Sequence, residues 1–316
     1  MSEPLFLEAV MHEKIWGGNH LELEFGYDIP SDHTGECWAI SAHPNGVSTI
    51  KNGQYKGIGL DELYRTHAEL FGFPKSKVFP LLTKILDAND WLSVQVHPDD
   101  IYALEHEGEL GKTECWYILS AQKGAEIIYG HKAKTRDELE KLIREGDWEN
   151  LLEKVPVKAG DFFYVPSGTM HAIGKGIMIL ETQQSSDTTY RVYDFDRYGD
   201  DGKKRPLHLS QSIDVLSLGV PANSTPTRVH SDDFNNTVLV SNPFFSVYKW
   251  TISGQTIFKR THPYLLVSVI DGKGTLFIDG ESYNLVKGDH FILPNGVLEW
   301  TIKGGVELIV SHPQEI

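Results

Sequence analysis

The chain reads as short apolar runs cut by glycine and proline, and few of them are long enough for a helix. Trp91–His97 (WLSVQVH), Glu114–Leu119 (ECWYIL), Phe162–Pro166 (FFYVP), Ile177–Thr182 (IMILET), Leu265–Ile270 (LLVSVI) and Gly288–Pro294 (GDHFILP) are rich in β-branched and aromatic residues. Such segments predict strands, and many short strands separated by turns predict a β-sandwich or barrel. Apolar residues at three- and four-residue spacing predict helices over Leu60–Phe71 and Thr135–Glu145, with a weaker third over Ser210–Leu218.

Part of the pattern occurs twice. Thr113–Gly130 (TECWYILSAQKGAEIIYG) matches Pro263–Gly280 (PYLLVSVIDGKGTLFIDG) at an offset of 150, which lays Lys123, Gly124 and Gly130 on Lys273, Gly274 and Gly280. Gly160–His171 (GDFFYVPSGTMH) then answers Gly288–Glu299 (GDHFILPNGVLE). The spacer from Gly130 to Gly160 is 30 residues and that from Gly280 to Gly288 is 8, so the first copy carries a 22-residue insertion. That insertion holds the Thr135–Glu145 helix and a short second one over Asp147–Glu153. Gly-Asp makes a tight turn, a strand follows, and Pro-x-Gly turns the chain again, as a β-roll needs. The Gly-x5-Pro-x-Gly-x2-His run resembles the second signature of the cupin superfamily, whose His is a metal ligand. The expected fold is mainly β, a bicupin of two jelly-roll barrels with a few helices attached to the first. The copies fall near residues 90–195 and 236–316. The expected domains are 1–235, a metal-binding cupin with helical insertions, and 236–316, a metal-free cupin.

Strand alternation then selects candidate ligands. Gln95 and His97 share one face of their strand, while Val94 and Val96 take the other. A polar face inside an apolar barrel strand needs a reason, and two ligands of one metal supply it. Glu114 opens the next strand with Thr113 and Cys115 pointing away, which argues against Cys115 as a ligand. His171 completes a set of Gln95, His97, Glu114 and His171. Two imidazoles and a carboxylate suit Zn²⁺, and a single negative charge among four ligands leaves the ion a Lewis acid. In the second copy the offset replaces Glu114 by Tyr264 and His171 by Glu299, so that barrel should be metal-free.

Composition narrows the partners. A net charge of −15 offers no broad basic face to nucleic acid or anionic lipid, so an anionic ligand must be held by a local cluster of cations. No apolar run reaches membrane-spanning length, the first residues do not read as a signal peptide, and two cysteines, Cys37 and Cys115, suit a reducing cytoplasm. No obligate protein partner is inferred. Glu181–Arg197 (ETQQSSDTTYRVYDFDR) predicts a strand over Thr188–Asp194, with Arg191 beside Tyr193 on one face and Asp187 four residues earlier. Lys112 stands two residues before Glu114, and Lys112, Arg191 and the metal can form the cationic cluster for a phosphate.

Phe79–Asp99 (FPLLTKILDANDWLSVQVHPD), Gly111–Trp116 (GKTECW), Val165–Ile173 (VPSGTMHAI) and Glu181–Arg191 (ETQQSSDTTYR) resemble type I phosphomannose isomerase. Ile15–Gly18 (IWGG) and Gly35–Asn45 (GECWAISAHPN) join them, so the resemblance spans nearly the whole chain and is to the short bacterial form. It implies interconversion of mannose 6-phosphate and fructose 6-phosphate with one zinc ion per chain, on Gln95, His97, Glu114 and His171. It also places the essential arginine on Arg191. An aldose–ketose isomerase moves a proton between C2 and C1 through an enediolate, so it needs positive groups near the developing oxyanion. Arg191 is the expected stabiliser and Lys112 the proton shuttle or phosphate holder. Glu181 and Asp187 are the other catalytic candidates, and Lys112, Arg191 and Trp16 the expected substrate contacts. Another cupin enzyme, such as a dioxygenase or epimerase, and a non-catalytic sugar-binding module are the competing readings.

Overall fold

Period-two alternation along the apolar runs folds the chain into antiparallel sheets in a computed structural model that describes residues 3–199, 201–221, 226–231 and 233–314. Among the described residues the strands form sheets of ten, six and five strands. The six-stranded sheet runs Phe162–Val165, Glu114–Ala121, Ile177–Gln184, Leu81–Ala88, Thr34–Ile40, Val10–Gly18. The five-stranded sheet runs Tyr190–Tyr193, Val94–Val96, His171–Ile173, Glu126–His131, Leu152–Pro156. Their facing sides enclose Trp116, Ile118, Ile127, Ile173 and Ile179, the interior of the first barrel. The ten-stranded sheet curls around its own core of Trp250, Val267, Leu276, Phe291 and Trp300. A third core, with Cys37, Cys115, Phe245, Leu266 and Ile309, joins the outer face of the six-stranded sheet to this second barrel.

The chain crosses between the barrels at its start. Leu5–Glu8 pairs with His290–Leu293, so a strand from the beginning of the sequence completes the sheet built from its end. Nothing in the local pattern of Leu5–Glu8 signals this long-range pairing.

Helices cover the outer faces. Arg136–Glu145 starts at Thr135, whose hydroxyl accepts from the Glu138 N–H, and stops at Gly146 in the left-handed region. Its apolar stripe, Leu139 and Ile143, packs with Val94, Val96 and Ile128 on the back of the five-stranded sheet. The second insertion helix is shorter than expected, Trp148–Leu151, because the chain extends into the Leu152–Pro156 strand. The Leu60–Phe71 segment divides into an α-helix, Leu60–Thr66, and a 3₁₀ turn, Ala68–Phe71. Leu209–Val215 is the third helix expected. His20–Phe25 and Asp100–His106 were not anticipated. The latter buries only Ala103 and leaves Ile101 and Leu104 exposed, so its apolar residues do not mark an inward stripe.

Two readings of register need correction. Val165 lies opposite Glu114 and Leu293 opposite Leu265, while the Gly160 and Gly288 N–H groups donate to Ile118 and Val269. The structural counterpart of Glu114 is therefore Leu265, one residue beyond the offset of 150. Both copies bulge at the equivalent place, at Leu119 and at Ile270, so the offset of 151 holds through the strand. The second correction concerns Tyr193. A register shift follows Arg191, which sits opposite Gln95, and leaves Tyr193 opposite Val94. Tyr193 therefore stacks on Trp148 outside the barrel, on the opposite side from Arg191.

Candidate metal centre and adjoining cavity

The five-stranded sheet brings Arg191, Gln95 and His171 abreast on three adjacent strands, because Gln95 is in register with both of the others. Across the barrel, the six-stranded sheet aligns Trp116, Glu181, Lys84 and Trp38 in a second row, with Glu114 two residues before Trp116. His97 follows the Val94–Val96 strand directly.

These rows converge on three buried side chains. His97 Nε2 lies 3.5 Å from Glu114 Oε2, and His171 Nε2 lies 3.3 Å from Glu114 Oε1. One donor atom from each of His97, Glu114 and His171 falls within 4.8 Å of the others, and all three residues are 1% exposed. Each imidazole's Nδ1 is placed against a backbone carbonyl, His97 on Thr188 at 3.0 Å and His171 on Thr169 at 2.9 Å. A carbonyl only accepts, so each Nδ1 carries the proton and each Nε2 presents a lone pair to the carboxylate. His97 Nε2 and Glu114 Oε2 have no hydrogen-bond partner. Lone pairs facing one another in a buried site repel unless a cation lies between them, and this donor set fits a divalent metal. Gln95 closes the group, its amide nitrogen 3.3 Å from His171 Nε2.

Burial sets the electrostatics. It lowers the His97 imidazole well below its ordinary range, with Lys112 and His171 adding to the effect. It lowers His171 to about 4 and raises the Glu114 carboxyl, with Lys112 partly opposing the rise. Glu181 is pushed up to about 7, first by burial and then by repulsion from Glu114. Both imidazoles are thus neutral and ready to donate electron pairs. The Trp116 indole N–H bridges the two acids, donating to Glu114 at 3.1 Å and Glu181 at 3.0 Å. Lys112 Nζ stands 3.7 Å from Glu114.

A cavity of about 180 Å³ opens beside the cluster, and Trp16, Gln95, Lys112, Glu181, Asp187 and Arg191 all line it. The structure thus gathers every sequence-selected residue at one site, with different exposures. Asp187 stands at the cavity edge, where it accepts from the Asn45 amide at 2.8 Å. Arg191 donates through Nη1 to the Pro206 carbonyl at 2.8 Å, and its Nε–H is buried without a partner. Cys115 lies in the core between the barrels, where burial holds its thiol well above the ordinary range.

Sequence reasoning passed over several lining residues, namely Lys14, Glu36, Lys84 and Arg205. Lys84 is 3% exposed, lies 3.6 Å from Glu36 and 4.0 Å from Glu181, and caps the Trp38 ring at 4.6 Å. Burial alone would lower its pKa, but the Glu36 and Glu181 carboxylates outweigh that and raise it. A lysine in the middle of the fully buried strand Leu81–Ala88 (LLTKILDA) was the available signal. Glu109 was also missed. It accepts from the hydroxyls of Ser186 and Thr188 and from the Asp187 N–H, and so fixes the loop whose Thr188 carbonyl orients His97.

Two family models match the chain: phosphomannose isomerase type I, catalytic domain, over residues 5–119, and mannose-6-phosphate isomerase, cupin domain, over residues 235–313. A mannose-6-phosphate isomerase of Streptococcus mutans is 69% identical over 315 residues, covering all of both chains. The mannose-6-phosphate isomerase ManA of Bacillus subtilis is 55% identical over 98% of this chain and 99% of its own. The crystal structure of a Bacillus subtilis mannose 6-phosphate isomerase superposes with a TM-score of 0.96 at 50% identity, over 99% of this chain and 100% of that one.

Proposed function

The chain belongs to the type I phosphomannose isomerase family, and from that premise we propose that it interconverts mannose 6-phosphate and fructose 6-phosphate with one bound zinc ion. The observation that carries the reading is the trio of potential metal donors on His97, Glu114 and His171, one atom of each within 4.8 Å of the others. Gln95 is the fourth proposed ligand, its amide at 3.3 Å from His171 able to turn its oxygen inward. When bound, zinc supplies Lewis acidity beside the reacting carbonyl, the property an enediolate pathway demands.

The remaining roles fall to the chain's own residues. Arg191, abreast of Gln95, offers its guanidinium to the developing negative oxygen or to the phosphate. Lys112 lies close enough to Glu114 to share the reacting end of the cavity, and we assign it the proton shuttle or a phosphate contact. Glu181 is a second proton carrier, held by the Trp116 N–H and the Lys84 ammonium; Asp187 guards the rim. Trp16, 4% exposed, walls the cavity for the sugar. The chemistry is assigned to residues 1–235 and a metal-free role to 236–316. In that second unit Leu265 stands where Glu114 does, and Glu299 is exposed. The anionic ligand and the absence of a broad basic surface fit a cytoplasmic metabolic enzyme acting on a small sugar phosphate. No helix among the described residues is long and apolar enough to cross a membrane.

A coupled assay that follows fructose 6-phosphate from mannose 6-phosphate, with metal analysis before and after chelation, tests the proposal. Activity lost on chelation and restored by one equivalent of zinc is the expected result. Undiminished turnover in metal-stripped protein would overturn the zinc assignment, and product other than the ketose would overturn the reaction.

A further inference from the structure

Residues 185–189 carry the chain from Ile177–Gln184, in the six-stranded sheet, to Tyr190–Tyr193, in the five-stranded one, and pass His97 on the way. A crossing between sheets has no ladder of its own, so its polar groups need other partners. Three carboxylates from one short stretch supply them. Asp100 accepts from the Gln184 amide at 2.9 Å, just before the crossing, and Glu107 from the Tyr190 hydroxyl at 2.7 Å, just after it. Glu109 holds the middle. Its Oε2 accepts from the Ser186 hydroxyl at 3.0 Å, the Asp187 N–H at 3.2 Å and the Thr188 hydroxyl at 2.9 Å.

The other oxygen of Glu109 is set by His43, a buried ring. The Asn45 N–H donates to His43 Nδ1 at 3.2 Å, so the ring proton sits on Nε2, 3.4 Å from Glu109 Oε1. Hydrogen bonds to a charged acceptor are the strong ones, and Glu109 gathers four of them. The consequence reaches the metal ligands. Thr188 gives its hydroxyl to Glu109 and its carbonyl to His97 Nδ1, 3.0 Å away. That carbonyl decides which nitrogen of His97 carries the proton and where Nε2 aims, and such orienting partners are worth about 10–100-fold in metal affinity.

We propose that Glu109 is a positioning residue for the metal: by seating residues 186–188 it fixes the Thr188 carbonyl, and through it the aim of His97 Nε2. This role rests on the zinc site proposed above and adds to it a carboxylate that lies outside the lining of the cavity. Asp100 and Glu107 hold the two ends of the crossing, and Glu109 alone of the three contacts Thr188.

The test is a zinc titration against a chromogenic chelator, run on the full chain as wild type, Glu109→Ala, Thr188→Val and the double variant. Glu109→Ala should bind zinc about tenfold more weakly. Thr188→Val removes the hydroxyl and keeps the carbonyl, and should weaken binding roughly threefold. Both substitutions break one contact, so the double variant should bind as Glu109→Ala does. Loaded with cobalt(II), Glu109→Ala should show a shifted visible absorption spectrum, because the ligand field follows the aim of His97. Urea unfolding of the metal-stripped proteins should give nearly equal midpoints, since water reaches the half-buried Glu109 contacts. Unchanged zinc affinity in Glu109→Ala, additive losses in the double variant, an unshifted cobalt spectrum, or an unfolding midpoint that falls in step with the affinity would each overturn the role of Glu109 alone. Wild-type protein that takes up no zinc would overturn the metal site itself, and Glu109 with it.

Discussion

His97 Nε2 and Glu114 Oε2 face each other at 3.5 Å, neither with a hydrogen-bond partner, and that confrontation governs the chemistry of single residues here. Glu114→Gln keeps the size of the side chain and removes its charge. We expect bound zinc, measured by mass spectrometry of the purified protein, to fall well below one per chain and kcat to fall with it. Zinc near one per chain in that variant would refute the ligand assignment. Arg191→Ala should act differently. Loss of one preorganised stabiliser lowers kcat by about 10²–10³-fold, while zinc stays near one because Arg191 is not among the ligands. Single-turnover kinetics with metal analysis separates the two cases. Gln95, His97 and Glu114 were legible because strand parity is strict and a polar side chain on an inward face stands out. Lys84 and Glu36 were not singled out, although both lie in blocks whose likeness to the family was plain. Their roles depend on each other across two neighbouring strands, and a pair joined only by folding leaves no spacing to read.

Elements were legible where their pattern is local. The helix over Arg136–Glu145 announces itself through Thr135 at its start, Gly146 at its end and a stripe of Leu139 and Ile143. Leu139 is 0% exposed against the back of the sheet that carries Gln95 and His171. Leu139→Ala should therefore cost about 2–5 kcal/mol in denaturant unfolding. Activity below the unfolding transition should hold, since the helix touches only the outer face. A large fall in kcat with little loss of stability would show that the insertion helix shapes the cavity. Register was harder to read than element type. One bulge after Arg191 turns Tyr193 outward, and the strand pairing sets Leu265, not Tyr264, where Glu114 stands in the first barrel. An added residue reverses every inward and outward position beyond it, so a correct strand assignment can still misplace a side chain.

At the scale of the molecule, the two barrels are joined by contacts that no local pattern shows, among them a buried histidine. The Tyr27 hydroxyl donates to the Gly288 carbonyl at 2.8 Å, so at its other contact, also 2.8 Å, it accepts from His290 Nε2–H. His290 Nδ1 then takes the Ser268 hydroxyl proton at 2.8 Å, and the neutral ring is satisfied at both nitrogens. Burial, with Lys51 adding to it, lowers His290 to about 3 in the fold, against about 6.5 in the unfolded chain. The folded pKa is the lower one, so the unfolded state takes up the proton first. The stability due to neutral His290 is complete above about pH 6.5 and drains away as pH falls toward 3, at about 1.4 kcal/mol per unit. Other histidines and the carboxylates titrate in this range too, which makes a difference measurement necessary. His290→Gln keeps a side chain able to donate and accept but cannot be protonated. Denaturant unfolding of the two proteins at pH 7, 6 and 5 should show the wild-type advantage shrinking by roughly one proton's worth per unit below pH 6.5. Parallel curves would mean that His290 takes up its proton as readily in the fold as in the unfolded chain, and would refute the pH-dependent contribution argued here.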